Sequence, residues 1–208
     1  MRTRINLDNW NRKDHFLFFK QFEEPFFGVT LEADCTRAYA RAKQQGGSFF
    51  LFYLYAALKA ANETEPFRYR IHGEDVYSYD VVHASPTINR PDGTFGFAYL
   101  DYNPDEMLFY RQAQPVLETV RQSKGLVPAV SGENVIHFSA LPWLNFTALS
   151  HARCFHFPDS CPKISFGKLA GPQGEKRMPV SVHVHHGLMD GYHVGQFADR
   201  FQQLLDEA

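Results

Sequence analysis

The stretch "VHVHHGLMDGYHVGQF", residues 182 to 197, places four histidines and one aspartate among sixteen positions. An imidazole titrates near neutrality, so it can serve as acid, base or metal ligand. The run "PVSVHVHH" has the two-residue period of a strand. Val180, Val182, Val184 and His186 fall on one face; Ser181, His183 and His185 fall on the other. His186 therefore ends an apolar row, just before a Gly-bounded turn. Partial desolvation there favours the neutral imidazole, the form that acts as a base. Asp190 follows across "GLMDG".

Three readings of these residues are open. His186 can be a core histidine satisfied by backbone. His183 and His185, two apart on one face, can begin a metal site, although no carboxylate or cysteine pair stands at a recognised spacing to complete three or four ligands. The third reading is a catalytic histidine whose loop is held by Asp190.

The elements that must position these residues follow from patterning. "PFFGVTLEAD" alternates as a strand, and "CTRAYARAKQQGG" is a helix closed by Gly46 and Gly47. "SFFLFYLYAALKAANET" is a helix apolar on nearly all sides, hence buried. A hairpin turning at Gly73 precedes another strand, "TFGFAYLDY" is a further strand, and "PDEMLFYRQAQPVLETVRQSKG" is a helix with a kink expected at Pro115. "NVIHFSALPWLNFTAL" reads as a strand interrupted at Pro142. "CPKISFGKLAGPQGEKRMPVSVHVHH" is a hairpin, and the chain continues into a helix carrying Val194, Phe197, Phe201, Leu204 and Leu205. Strands and helices mix without strict βαβ alternation, which predicts an α+β arrangement with a mixed or antiparallel sheet.

The 208 residues suffice for one domain spanning 1–208 with a full core, and no linker divides them. Hydrophobic content is 44% and net charge −2, which points to neither nucleic acid nor an anionic membrane as partner. Twenty Phe, in runs such as "FLFF" and "FFLFY", call for a deep interior or an apolar pocket. No apolar stretch is long enough to span a bilayer, and "MRTRINLDNW" lacks a signal core, so a cytoplasmic location is expected. Cys35, Cys154 and Cys161 do not make an even disulfide framework; Cys154 and Cys161 can pair, but free thiols are the expectation.

"HHGLMDGYHVGQF" resembles the HHxxxDGxH signature of type A chloramphenicol acetyltransferases. "NWNRKDHFLFF", "EPFRYRI" with "GEDV", "ENVIHFSALPWLNFT" and "ISFGKL" are similar, in order, to further segments of that family, so the resemblance covers nearly the whole chain. It implies a two-layer α/β sandwich, a mixed sheet flanked by helices, assembled as a homotrimer with active sites at subunit interfaces. It also implies acetyl transfer from acetyl-CoA, the co-substrate, to the 3-hydroxyl of chloramphenicol, with no metal and no covalent acetyl-enzyme. His186 would then be the general base. Asp190 would pair with Arg12 to hold the loop.

Asn145, in "PWLNFT", stands where the family commonly has a Ser that donates to the oxyanion, and Ser165 where it often has a Thr. Pro25 and Phe27 stand where some members have Cys and Tyr, and Phe27 and Phe95 are aromatic residues suited to a nitrophenyl ring. His193 is expected to be structural, and His183 and His185 have no assigned role. The departures at Asn145 and Pro25 leave open the same chemistry on another small acceptor. A trimeric binding protein without turnover is a further alternative.

Overall fold

The computed structural model describes residues 1–126, 132–153, 159–172 and 174–207. In chain order the elements are β1 (Arg2–Arg4), α1 (Lys13–Phe19), β2 (Phe26–Asp34), α2 (Thr36–Gln44), α3 (Phe49–Glu63), β3 (Tyr69–His72), β4 (Asp75–Tyr79), β5 (His83–Asn89), β6 (Phe95–Phe97), α4 (Glu106–Gln122), β7 (Val135–Ala140), β8 (Lys163–Phe166), β9 (Arg177–His185) and α5 (Gly191–Asp206). Short 3₁₀ turns lie at Leu7–Asn9 and Glu65–Arg68. The main sheet is six-stranded, in the order β2-β9-β8-β7-β5-β6, beside a three-stranded sheet β1-β4-β3. β5–β7 and β7–β8 are parallel and the other pairs antiparallel, so the sheet is mixed and flanked by helices, as predicted.

The helix-facing side of the sheet is the apolar one. Val180, Val182 and Val184 are fully buried in one core with Leu54 and Leu58 of α3 and Phe197 and Phe201 of α5. Helices α3 and α4 begin at polar caps. The Ser48 hydroxyl accepts from Leu51 N at 3.4 Å and the Asp105 carboxylate from Leu108 N at 3.0 Å. Arg70 ties the small sheet to β7. Its fully buried guanidinium donates to the carbonyls of Phe67, Tyr69, Glu133 and Val135 at 2.6–2.8 Å.

The helix α4 runs through Pro115 as one continuous element. Two local expectations change. β7 does not resume after Pro142: it ends at Ala140, and the chain turns out of the sheet, because a proline cannot donate to the ladder. β9 ends at His185, so His186 stands one residue beyond it. The second face of the sheet is also covered, which alternation alone did not announce. Ser181 is 0% exposed and His185 4%. The segment after β7 folds back over this face, setting His151 edge-on to His183 at 4.7 Å and the Arg153 guanidinium 3.7 Å above the Phe26 ring. Cys35 and Cys161 are free thiols, and Cys154 lies outside the described residues.

Candidate active site

Every backbone group of His186 that can be held is held. Its N–H donates to Pro25 O at 2.8 Å, and its carbonyl accepts from Arg12 Nη2 at 3.0 Å. The imidazole is fixed by aromatic faces. Phe19, the last residue of α1, stacks on it with centroids 4.0 Å apart and planes 10° from parallel. Phe27 of β2 tilts against it at 4.6 Å. Among the described residues Nδ1 is buried without a hydrogen-bond partner, which leaves Nε2 as the ring nitrogen for a reactant. A rigid imidazole with one accessible nitrogen is suited to proton transfer.

The loop behind His186 is closed by an ion pair. Arg12 Nη1 lies 2.6 Å from Asp190 Oδ2, with the arginine side chain 9% exposed. The same guanidinium reaches the His186 carbonyl, so one side chain grips both ends of the turn. Asp190 also caps α5, its Oδ1 accepting from Tyr192 N at 3.1 Å, and His193 Nδ1 stands 2.9 Å from the same oxygen. Burial raises the carboxyl's pKa. The hydrogen bond from Arg12 and the charges of His193 and Arg12 outweigh it and hold Asp190 below the ordinary carboxylate range. Asp190 thus stays ionised, and His193 serves the turn.

The remaining sequence-derived candidates stand elsewhere in the chain. Asn145 is exposed, in the turn after β7. That turn is tied to the end of β8 through Lys168 N, which donates to Leu144 O at 2.8 Å. Gly167 permits this approach, since a Cβ there would lie 2.7 Å from Leu144 O. Ser165 is fully buried in β8, and among the described residues its hydroxyl has no hydrogen-bond partner. It sits opposite Ser181, five residues before His186 along β9. At the rise of a strand this puts Ser165 about 17 Å from His186, and Asn145's turn, tied to Lys168 rather than to Ser165, lies further along β9. Phe95 is 45% exposed on β6, the edge strand opposite β2, about 24 Å across the sheet from Phe27. One chain therefore gathers His186, Asp190, Arg12, Pro25 and Phe27, and leaves Asn145, Ser165 and Phe95 apart from them.

Residues 1–202 match the family model described as chloramphenicol acetyltransferase. The chain belongs to the chloramphenicol acetyltransferase family. A solved chloramphenicol acetyltransferase superposes with a TM-score of 0.91 at 32% identity, covering 99% of this chain and 100% of that one. Chloramphenicol acetyltransferase 3 of Escherichia coli is 28% identical over 207 residues, 98% of this chain and 97% of the relative. The chloramphenicol acetyltransferase of Proteus mirabilis is 29% identical over 207 residues, 98% of this chain and 94% of the relative. The chain is accordingly an acyltransferase.

Two side chains of this acyltransferase escaped the sequence reading. Phe19 was one of several aromatics in "FLFF", and nothing in the spacing says which of them faces His186. His185 was assigned to the opposite face, yet its Nδ1 accepts from Gly187 N at 3.1 Å, inside the same turn. His183 is engaged otherwise, with Ser181 Oγ 3.2 Å from its Nδ1. Among the described residues no group of three or more His, Cys, Asp or Glu side chains is placed to hold a metal ion. No helix among them is long and apolar enough to cross a membrane.

Proposed function

We propose that the protein transfers the acetyl group of acetyl-CoA to the 3-hydroxyl of chloramphenicol, which inactivates the antibiotic. The observation that carries this reading is the imidazole clamp: a histidine fixed at its N–H, carbonyl and ring face, with Nε2 free. Nε2 takes the proton of the acceptor hydroxyl while the oxygen attacks the thioester carbonyl. The tetrahedral intermediate collapses, the C–S bond breaks, and the proton passes from the imidazolium to the departing thiolate. No covalent acetyl-enzyme and no metal enter these steps. Such positioned base catalysis contributes about 10² to 10⁴-fold.

Asn145 donates its amide to the oxyanion, and Ser165 offers its unpartnered hydroxyl beside it. Because Ser165 stands about 17 Å from His186 within a chain and the Asn145 turn further still, the working site joins His186 of one subunit to Asn145 and Ser165 of the next. A homotrimer satisfies that requirement. The exposed Trp143, Leu144 and Phe95 support it, since such apolar side chains call for cover. A cavity of about 310 Å³ lined by Phe50, Ile88, Ala140, Pro142 and Trp143 adjoins the Asn145 turn. On the His186 side, Pro25 and Phe27 form the wall for the acceptor.

Asn145 in place of a hydroxyl, and Pro25 in the acceptor wall, favour a second reading: the same transfer to another small hydroxylated acceptor. The test is release of CoA thiol from acetyl-CoA with and without chloramphenicol, for the wild type and His186→Ala. Release that needs both chloramphenicol and His186 is expected. Release in the variant at the wild-type rate would remove the base; an inert wild type would remove chloramphenicol as the acceptor.

A further inference from the structure

His185 precedes the proposed base and lies on the other face of the strand, where nothing in the transfer chemistry uses it. Its surroundings are specific. The residue is 4% exposed, and Phe26 meets its ring edge-on at 5.6 Å. Its carbonyl accepts from both Leu188 N at 2.9 Å and Met189 N at 3.2 Å, which closes the turn after β9. Its ring Nδ1 accepts from Gly187 N at 3.1 Å. The ring and the glycine interlock: a Cβ on Gly187 would stand 3.0 Å from His185 Cε1, 3.1 Å from Nδ1 and 3.4 Å from Phe16 Cα.

The backbone on either side of the His186 side chain thus has three anchors. Pro25 O holds the His186 N–H, Arg12 holds the His186 carbonyl, and the His185 ring holds the Gly187 N–H. The peptide between His186 and Gly187 is pinned at its oxygen by Arg12 and at its nitrogen by His185. Removing either pin frees that peptide plane to rotate, and the imidazole hangs from it.

We propose that His185 is a positioning residue that aims His186 by accepting the Gly187 N–H on Nδ1. The proton of the neutral ring then resides on Nε2, because the Gly187 hydrogen points at Nδ1. Burial, with the nearby Arg153 charge, pushes the His185 pKa down to about 4, so the ring keeps its Nδ1 lone pair at neutral pH. The catalytic consequence rests on the reading of His186 as the base; the local consequence, a held Gly187 N–H, does not.

Two amide variants separate acceptor geometry from packing. His185→Asn keeps an acceptor at the Nδ1 position, His185→Gln moves it to the Nε2 position, and His185→Leu removes it. In the assembled enzyme, kcat should stay within about 3-fold of wild type for Asn and fall about 10- to 100-fold for Gln and Leu, with KM for both substrates nearly unchanged. Glycine-selective isotope labelling reads the local bond: Gly187 amide exchange should stay protected in wild type and Asn and quicken about 10-fold or more in Gln and Leu. If Leu fails to assemble, Asn against Gln carries the same comparison. Asn falling as far as Gln, or Gln retaining wild-type kcat and exchange, overturns the proposal. A wild type inert towards chloramphenicol would instead remove chloramphenicol as the acceptor, and Gly187 exchange would still decide the role of His185.

Discussion

Phe19 lies almost parallel to His186, their ring centroids 4.0 Å apart. The contact ties the end of α1 to the residue that follows β9, and it seals one face of the imidazole. Phe19→Leu keeps an apolar side chain but loses the flat face. Its kcat should fall about 3- to 10-fold with a stability loss of about 1 kcal/mol, read by steady-state kinetics and denaturant unfolding. Unchanged kcat in a fully folded variant would mean that the stack does not orient the ring.

Arg12 holds Asp190 and the His186 carbonyl with two different nitrogens. A lysine has one point charge and cannot span both. Arg12→Lys should therefore lower kcat about 10-fold or more while KM changes little, because the loop loses its second anchor. Asp190→Asn should show the same kinetic signature. Kinetics of the two single variants and the double variant measure the coupling, and additive losses would deny that they work as a pair.

The separation of His186 from Asn145 predicts complementation. Asn145→Ala alone should reduce kcat about 10² to 10³-fold. Its unfolding midpoint should not move, since Asn145 is exposed in the chain. Co-assembled His186→Ala and Asn145→Ala chains, each nearly inactive alone, should recover about a quarter of wild-type activity, because that share of the interfaces joins two intact halves. No recovery in a mixed assembly would place both groups within one chain's site.

Burial, with neighbouring charge, lowers His137, His151 and His185 to about 4. An unfolded histidine titrates near 6.5, so between those values the unfolded state binds the extra protons. Stability is therefore highest above about pH 6.5 and falls as pH drops toward 4, by up to about 1.4 kcal/mol per pH unit for each histidine. Asp190, held below its ordinary range, gives up its contribution only at lower pH. Urea unfolding at pH 7 and pH 5 should show the midpoint drop, and His151→Gln should flatten the slope. A midpoint unchanged over that interval would mean the histidines do not enter the fold uncharged.

Much of the fold was legible because local patterning and tertiary demand agree. The all-round apolar run of α3 required a buried helix, and Leu54 and Leu58 are fully buried. The alternation of "PVSVHVH" gave β9, and its valines face the core. Misreadings came where a single residue decides the path. Pro142 was taken to interrupt a strand, but the chain has already left the ladder by then and folds back over the sheet. That return makes the Ser181 and His185 face an interior, which no periodicity in β9 itself encodes.

The sequence by itself determined the chemistry available. A histidine closing an apolar strand, an aspartate across a glycine turn and an arginine near the N-terminus were all readable from type, spacing and resemblance. Only the tertiary structure decided which groups meet. It brought Arg12 across 174 positions to the His186 carbonyl, chose Phe19 among its neighbours as the stacking face, and turned His185 back onto Gly187. It also kept Ser165 beside the middle of β9 and the Asn145 turn toward its far end, both away from His186. The reason is physical: spacing fixes a side chain's face, whereas contacts between distant segments are fixed by how the covering layers pack on the sheet.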